Sequence, residues 1–256
     1  MKEDQTNGTS SNVPRETDRV AIVAGQRRWV TSSSAALRQA GVMVVDANVD
    51  EDDSPEGVGA GSQTRASQSG AAMDTAKINQ ALHSAISEFG RVDILVTCFD
   101  LSLPKATVEV TEQEFHQILA SNLTTVFSCC KVVGEQMLKQ HSGRIINIVS
   151  AVGVRASPSN SAYCAAKAAV LHLTRALSLE WSTEGVSVNA IAYGAMSDEW
   201  DEEVSTQVEI PVSYIPLRRR GQPSDLGGAL VYLASDVAGY VTGQTFIVDG
   251  GLLGCR

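Results

Sequence analysis

Short apolar runs recur along this chain, and each leads into a stretch with helical spacing. No other feature constrains the fold as strongly. The runs are 19–24, 42–47, 92–97, 144–149, 186–192 and 245–248. Their Val-, Ile- and Ala-rich composition suits strands buried on both faces, as parallel strands are. Helical spacing occupies 30–40, 74–89, 111–140 and 161–183, and Pro223 opens a further helix. Gly41 and Gly90 stand where helices should stop. Strands alternating with helices imply an α/β fold with a doubly wound parallel sheet covered on both faces. Residues 48–72 interrupt the pattern, being acidic first and then Gly/Ser/Gln-rich, so the third-strand region is degenerate. Residues 1–18 are polar and read as a flexible tail, which leaves 19–256 as one domain.

A net charge of −9 argues against a nucleic-acid or anionic-membrane surface. The N-terminal segment has no apolar signal core, and no stretch is long enough to span a bilayer. The five cysteines show no C-x-x-C spacing, which points away from a disulfide framework or a zinc site and toward a reducing cytoplasm. The four histidines lack metal-ligand spacing, so no metal is expected.

Tyr163 and Lys167 are four residues apart in a helical stretch and share one face. An ammonium beside a phenol favours the phenolate, which should lower the pKa of Tyr163 toward the working range of a general acid/base. Ser150 closes the strand that ends at Val149, and strand C-termini are where open α/β sheets place ligands. A lone Y-x-x-x-K is more often a helix surface than a site, so the surroundings decide.

Those surroundings resemble the short-chain dehydrogenase/reductase family over nearly all of 19–251, which implies a Rossmann-like fold. Ser150 lies thirteen residues before Tyr163, as the family's catalytic serine does. Asn122, within Ser121-Asn122-Leu123-Thr124, matches the asparagine that supports the family's proton relay. Phe89-Gly90-Arg91-Val92-Asp93, Pro216-Leu217-Arg218 and Tyr240-Val241-Thr242-Gly243 through Asp249-Gly250-Gly251 match further family segments. The resemblance implies that Tyr163 exchanges a proton with a hydroxyl or carbonyl and that Ser150 orients that oxygen. It also implies that Lys167 tunes Tyr163 and holds the nicotinamide ribose.

The nucleotide positions depart from the same pattern. Of the glycines in T-G-x-x-x-G-x-G only Gly25 remains, with Trp29 and Thr31 at the other two positions. Thr31 is available as a helix cap. Arg28 stands where NADP-using members carry a basic residue. The acids that bind adenosine in NAD-using members align with Asn48 and Ala71. The N-N-A-G motif becomes Thr97-Cys98-Phe99-Asp100, P-G becomes Tyr193-Gly194, and the threonine that follows becomes Asp198 in an acidic run.

Three readings follow. In the first, the chain is a degenerate subunit that binds no NAD or NADP and pairs with an intact relative in a dimer or tetramer. It would resemble the heteromeric hydroxyacyl-CoA dehydrogenases of benzylsuccinate breakdown and act on a small-molecule or acyl-CoA substrate. Arg218-Arg219-Arg220 would meet the anionic carrier, and the apolar helical runs 126–133 and 165–173 would form the oligomer surface. In the second, the chain is an active NADP-dependent ketoreductase with a rearranged loop around Gly25 and Arg28. In the third, it is a cofactor-independent enzyme similar to the halohydrin dehalogenases, although those carry arginine where Lys167 stands.

Overall fold

The computed structural model describes residues 19–48, 75–197 and 210–254. Residues 1–18, residues 49–74 with Ala71, and the acidic run from Asp198 lie outside the described residues. Among the described residues, six strands form one parallel sheet: β1 (Val20–Gly25), β2 (Met43–Asn48), β3 (Ile94–Cys98), β4 (Gly143–Ser150), β5 (Val186–Tyr193) and β6 (Thr245–Val248). Their order across the sheet is β2-β1-β3-β4-β5-β6. From β1 the chain moves one way to β2 and the other way to β3, so the connection reverses there. The carboxyl ends of β1 and β3 form the crevice where such sheets take ligands.

Both faces are covered, as the continuous apolar strands require. Helices α2 (Thr75–Phe89), α4 (Thr125–Gln140) and α5 (Ser161–Trp181) pack Ile78, Val133, Met137 and Val170 against Val20, Ile22, Leu95 and Ile145. On the opposite face α1 (Arg27–Gln39) and α6 (Gly227–Ala234) pack Trp29, Leu37, Leu230 and Leu233 against Val23, Val96 and Ile146. Alternate strand residues feed the two layers, which follows from the two-residue period of a strand. Asp93 fixes the strand entry: its buried carboxylate accepts from the Val20 amide at 2.9 Å and from Arg91.

Helix α1 begins at Arg27, three residues before the position expected from spacing. The Gln26 carbonyl already accepts from the amides of Trp29 and Val30, both at 3.0 Å. With Trp29 and Thr31 in place of glycines, every residue from Arg27 onward tolerates helix, and the chain winds directly off β1. Thr31 therefore lies inside the helix and caps nothing, and the N-cap residue Gln26 makes no side-chain cap bond.

The stretch read as helical over 111–140 is helical from Glu112 to Gln140, with a change of winding inside it. Helix α3 (Glu112–Leu119) starts with a capping box between Thr111 and Glu114 and runs into a π-helical turn, Ala120–Thr124, before α4. Pro223 opens a 3₁₀ turn, Pro223–Leu226, that precedes α6. The run 126–133 mostly serves the chain's own core, since Val126, Cys129, Cys130 and Val133 are buried while Phe127 is 47% exposed. Apolar richness in that run is therefore explained without an oligomer.

Candidate active site

Gly25 ends β1 beside the last residue of β3, with which it is in register. A Cβ at Gly25 would lie 2.2 Å from the Cys98 carbonyl oxygen, so the one glycine kept from the loop is required by strand packing. Burial pushes the Cys98 thiol up to about 12, which makes it a packing group.

Past these strand ends, side chains fill the crevice. Trp29 projects from the first turn of α1 and Tyr193 from the end of β5. Their rings lie 4.5 Å apart between centroids, and both residues are buried. Phe99 follows β3 and is buried as well. Arg28 sits 5.3 Å from the Trp29 ring centroid, a cation–π arrangement. Trp29 Nε1 and Gln26 Oε1 are buried without a hydrogen-bond partner among the described residues.

Tyr163 and Lys167 project from one face of α5, with Lys167 Nζ 5.1 Å from the Tyr163 ring centroid and both residues buried. The structure adds a residue that no sequence motif marks as functional. Asp100, just past β3, places its carboxylate between them, with only 4% of its side chain exposed. The Tyr163 hydroxyl donates to Asp100 Oδ1 and stands 3.4 Å from the Tyr193 hydroxyl. Lys167 Nζ lies 3.6 Å from the same carboxylate oxygen and donates to the Phe99 carbonyl. Arg28 reaches the other oxygen, Oδ2, at 3.0 Å. The segment is held in place from outside. Asn122 donates to the Leu101 carbonyl at 2.8 Å and to the Ile118 carbonyl at 2.9 Å, and it accepts from the Leu101 amide at 3.1 Å. The Lys105 amide donates to the Ser159 carbonyl at 2.7 Å.

These contacts correct several expectations. The pKa of Tyr163 is raised well above its ordinary value, where the neighbouring ammonium was expected to lower it. Burial is the largest cause, and the Asp100 charge together with the hydrogen bond given to it adds to the rise. Burial also pushes the Asp100 carboxyl up, but Lys167, Arg28 and the hydroxyls of Tyr163 and Tyr193 outweigh it and hold the group below its usual range. Lys167 is drawn below its ordinary value by burial, and Asp100 opposes that drop. Ser150 is buried at the end of β4, where its Oγ accepts from the Val152 amide at 3.4 Å and opposes the rise in the pKa of Tyr163. The structure thus gathers Ser150, Tyr163 and Lys167 into one cluster. Asn122 acts on it from outside, through the backbone of Leu101.

Other residues are placed away from this cluster or engaged locally. Asp46 accepts from Ser34 at 2.5 Å and from Arg38 at 2.8 Å. Arg219 pairs with Asp225 at 2.7 Å, Arg218 donates to the Ser213 carbonyl at 2.5 Å and Arg220 to that of Ile210 at 3.2 Å. Each arginine of the run read as a carrier contact thus makes a bond within its own loop. The signal for Asp100 was present in the sequence: an acid replacing the last glycine of N-N-A-G. Its reach to Arg28, Lys167 and Tyr163 depends on the fold.

Residues 29–253 match the family model described as enoyl-(acyl carrier protein) reductase. The 3-oxoacyl-(acyl-carrier-protein) reductase of a Synechocystis strain is 35% identical over 244 residues, covering 93% of this chain and 98% of that protein. The enzyme of that name from Staphylococcus aureus is 37% identical over 187 residues, 70% of this chain and 73% of its own. Among solved structures, a short-chain alcohol dehydrogenase assignment from Sinorhizobium meliloti 1021 superposes with a TM-score of 0.78 at 30% identity, over 93% of this chain and 97% of that one.

Proposed function

The chain belongs to the short-chain dehydrogenase/reductase family of oxidoreductases, and we propose that within it this chain is a degenerate subunit that seats no NAD(P) and pairs with an intact relative. The observation that carries this reading is the hydrogen bond from Tyr163 to Asp100. A general acid works best with a pKa near the operating pH. Here the proton is held by a buried carboxylate and the pKa moves away from that range. The residues present also fail the fit for a dinucleotide. One entering the crevice at the ends of β1 and β3 would meet the stacked rings of Trp29 and Tyr193 and the negative charge of Asp100.

In this reading the assembly interconverts a hydroxyl and a ketone on a 3-oxoacyl or hydroxyacyl thioester, with the chemistry in the partner. The reductases that resemble this chain support that substrate class, and acyl-CoA is one carrier that fits it. Phe127 and Leu179, 47% and 82% exposed on α4 and α5, are apolar side chains that a partner would cover. Buried free thiols at Cys98, Cys129, Cys130 and Cys164 suit a reducing cytoplasm. Among the described residues, no helix is long and apolar enough to cross a membrane.

The test is kcat of the assembled complex with Tyr163→Phe in this chain, against the equivalent change in the partner. Turnover unchanged by the first and lost by the second is expected. A loss of about 10²–10⁴-fold from Tyr163→Phe alone would overturn the reading.

A second reading has its own support. Ser150, Tyr163 and Lys167 stay together, and Trp29 Nε1 and Gln26 Oε1 are buried without partners among the described residues. Buried polar atoms normally find partners, and a loop rearranged around NADP would supply them. That ketoreductase would require Trp29 to leave its contact with Tyr193.

A further inference from the structure

Lys167 is the most deeply buried cation of the site, with 1% of its side chain exposed. An ammonium so placed needs a counter-charge, because an unpaired buried charge is strongly destabilising. Arg28 has a related difficulty. It stands in the first turn of α1, where the helix dipole disfavours a cation, and no acidic residue shares that turn. The two cations come from different elements, α1 and α5, and converge on one crevice at the sheet's reversal point. Such a convergence is how proteins bind anions.

The anion they meet is the chain's own. Asp100 offers one carboxylate oxygen to Arg28 at 3.0 Å and the other to Lys167 at 3.6 Å. Tyr163 donates to it as well, and the Tyr193 hydroxyl stands 3.4 Å from that of Tyr163. Backbone clamps at Leu101 and Lys105 hold the segment shut over α5.

We propose that Asp100 is an internal anion occupying a built anion site formed by Arg28, Lys167, Tyr163 and Tyr193, and that it is the residue that excludes an external anionic ligand from this crevice. This rests on the degenerate-subunit reading and names the residue responsible for it. The chemical class the site would take, once Asp100 is removed, is a small carboxylate or phosphate. The site is complete without one because the chain supplies its own.

The test is chemical rescue in the full-length chain. Asp100→Gly removes the carboxylate and leaves Arg28 and Lys167 in place. Its thermal midpoint should fall by roughly 10 °C, as expected for breaking a buried pair in a domain of this size. Sodium formate should restore much of the loss, whereas sodium chloride at equal ionic strength should not. The wild type should respond to the two salts alike. An Asp100→Gly variant as stable as the wild type, or one stabilised equally by both salts, overturns the proposal.

Should Asp100→Gly not fold, a double-mutant cycle decides the matter. Asp100→Asn and Lys167→Met should each destabilise, and the double variant should recover much of the loss because the fully buried ammonium leaves together with its carboxylate, while Arg28 is part-exposed. Additive losses overturn the proposal. A separate arm isolates the underlying reading: NADPH added to the wild type should leave its midpoint unchanged. A rise there overturns the degenerate-subunit reading, whereas failed formate rescue with NADPH-insensitive wild type overturns the internal anion alone.

Discussion

The hydroxyl of Tyr163 donates its hydrogen bond to the carboxylate of Asp100. The two residues stand on different elements, α5 and the segment after β3, and 63 positions separate them in sequence. The contact couples the acid/base position to a buried negative charge that is itself paired with Lys167 and Arg28. Changes in that charge should therefore be felt in stability and in ligand binding together.

Acid should weaken the fold through Asp100. Its folded pKa lies below the ordinary 3.8, because Lys167, Arg28 and two hydroxyls outweigh the upward push of burial. A depressed folded value means that the stabilisation is complete above about pH 4 and is lost as pH falls through the folded value. Denaturant unfolding at stepped pH should show the wild type losing stability below about pH 4 more steeply than Asp100→Asn. Equal slopes for the two proteins would contradict this.

Trp29 should be a core residue in energetic terms. It is 2% exposed and stacks on Tyr193 at 4.5 Å between centroids. Trp29→Gly returns the family's glycine to a helix that has formed without it. The change should destabilise by about 3–5 kcal/mol from lost packing, with about 1 kcal/mol more from glycine inside α1. Urea unfolding measures this, and a loss below about 1 kcal/mol would mean that the indole is not packed as described.

Gly25 should resist substitution for a reason unrelated to nucleotide. A Cβ there would stand 2.2 Å from a backbone oxygen of β3, so β1 and β3 would have to separate. Gly25→Ala should cost about 1–3 kcal/mol, read by thermal or urea unfolding in the absence of any nucleotide. A neutral result would show that the two strand ends can move apart freely.

The fold was legible because its strands are unambiguous. The runs at 20–25, 143–150 and 186–193 are apolar enough to be placed within a residue or two of their observed limits. The pairing of Tyr163 with Lys167 was legible from their four-residue spacing alone. Asp100 was read only as a lost glycine. Its significance arises where Asn122 and Ser159 clamp the following segment over α5, and such long-range closure leaves no local pattern. Tyr193 was likewise read as a lost proline, although its ring fills the crevice against Trp29. The π-helical turn that carries Asn122 inward has no signature in residue spacing, so helical spacing over 111–140 did not place it.

The central claim is that this crevice is filled by the chain's own side chains and does not receive a dinucleotide. Calorimetric titration of the isolated chain with NADH and with NADPH tests it most directly. Dissociation constants weaker than about 1 mM for both are expected. A dissociation constant in the micromolar range for either nucleotide would contradict the claim and make the NADP-linked ketoreductase the better description of this chain.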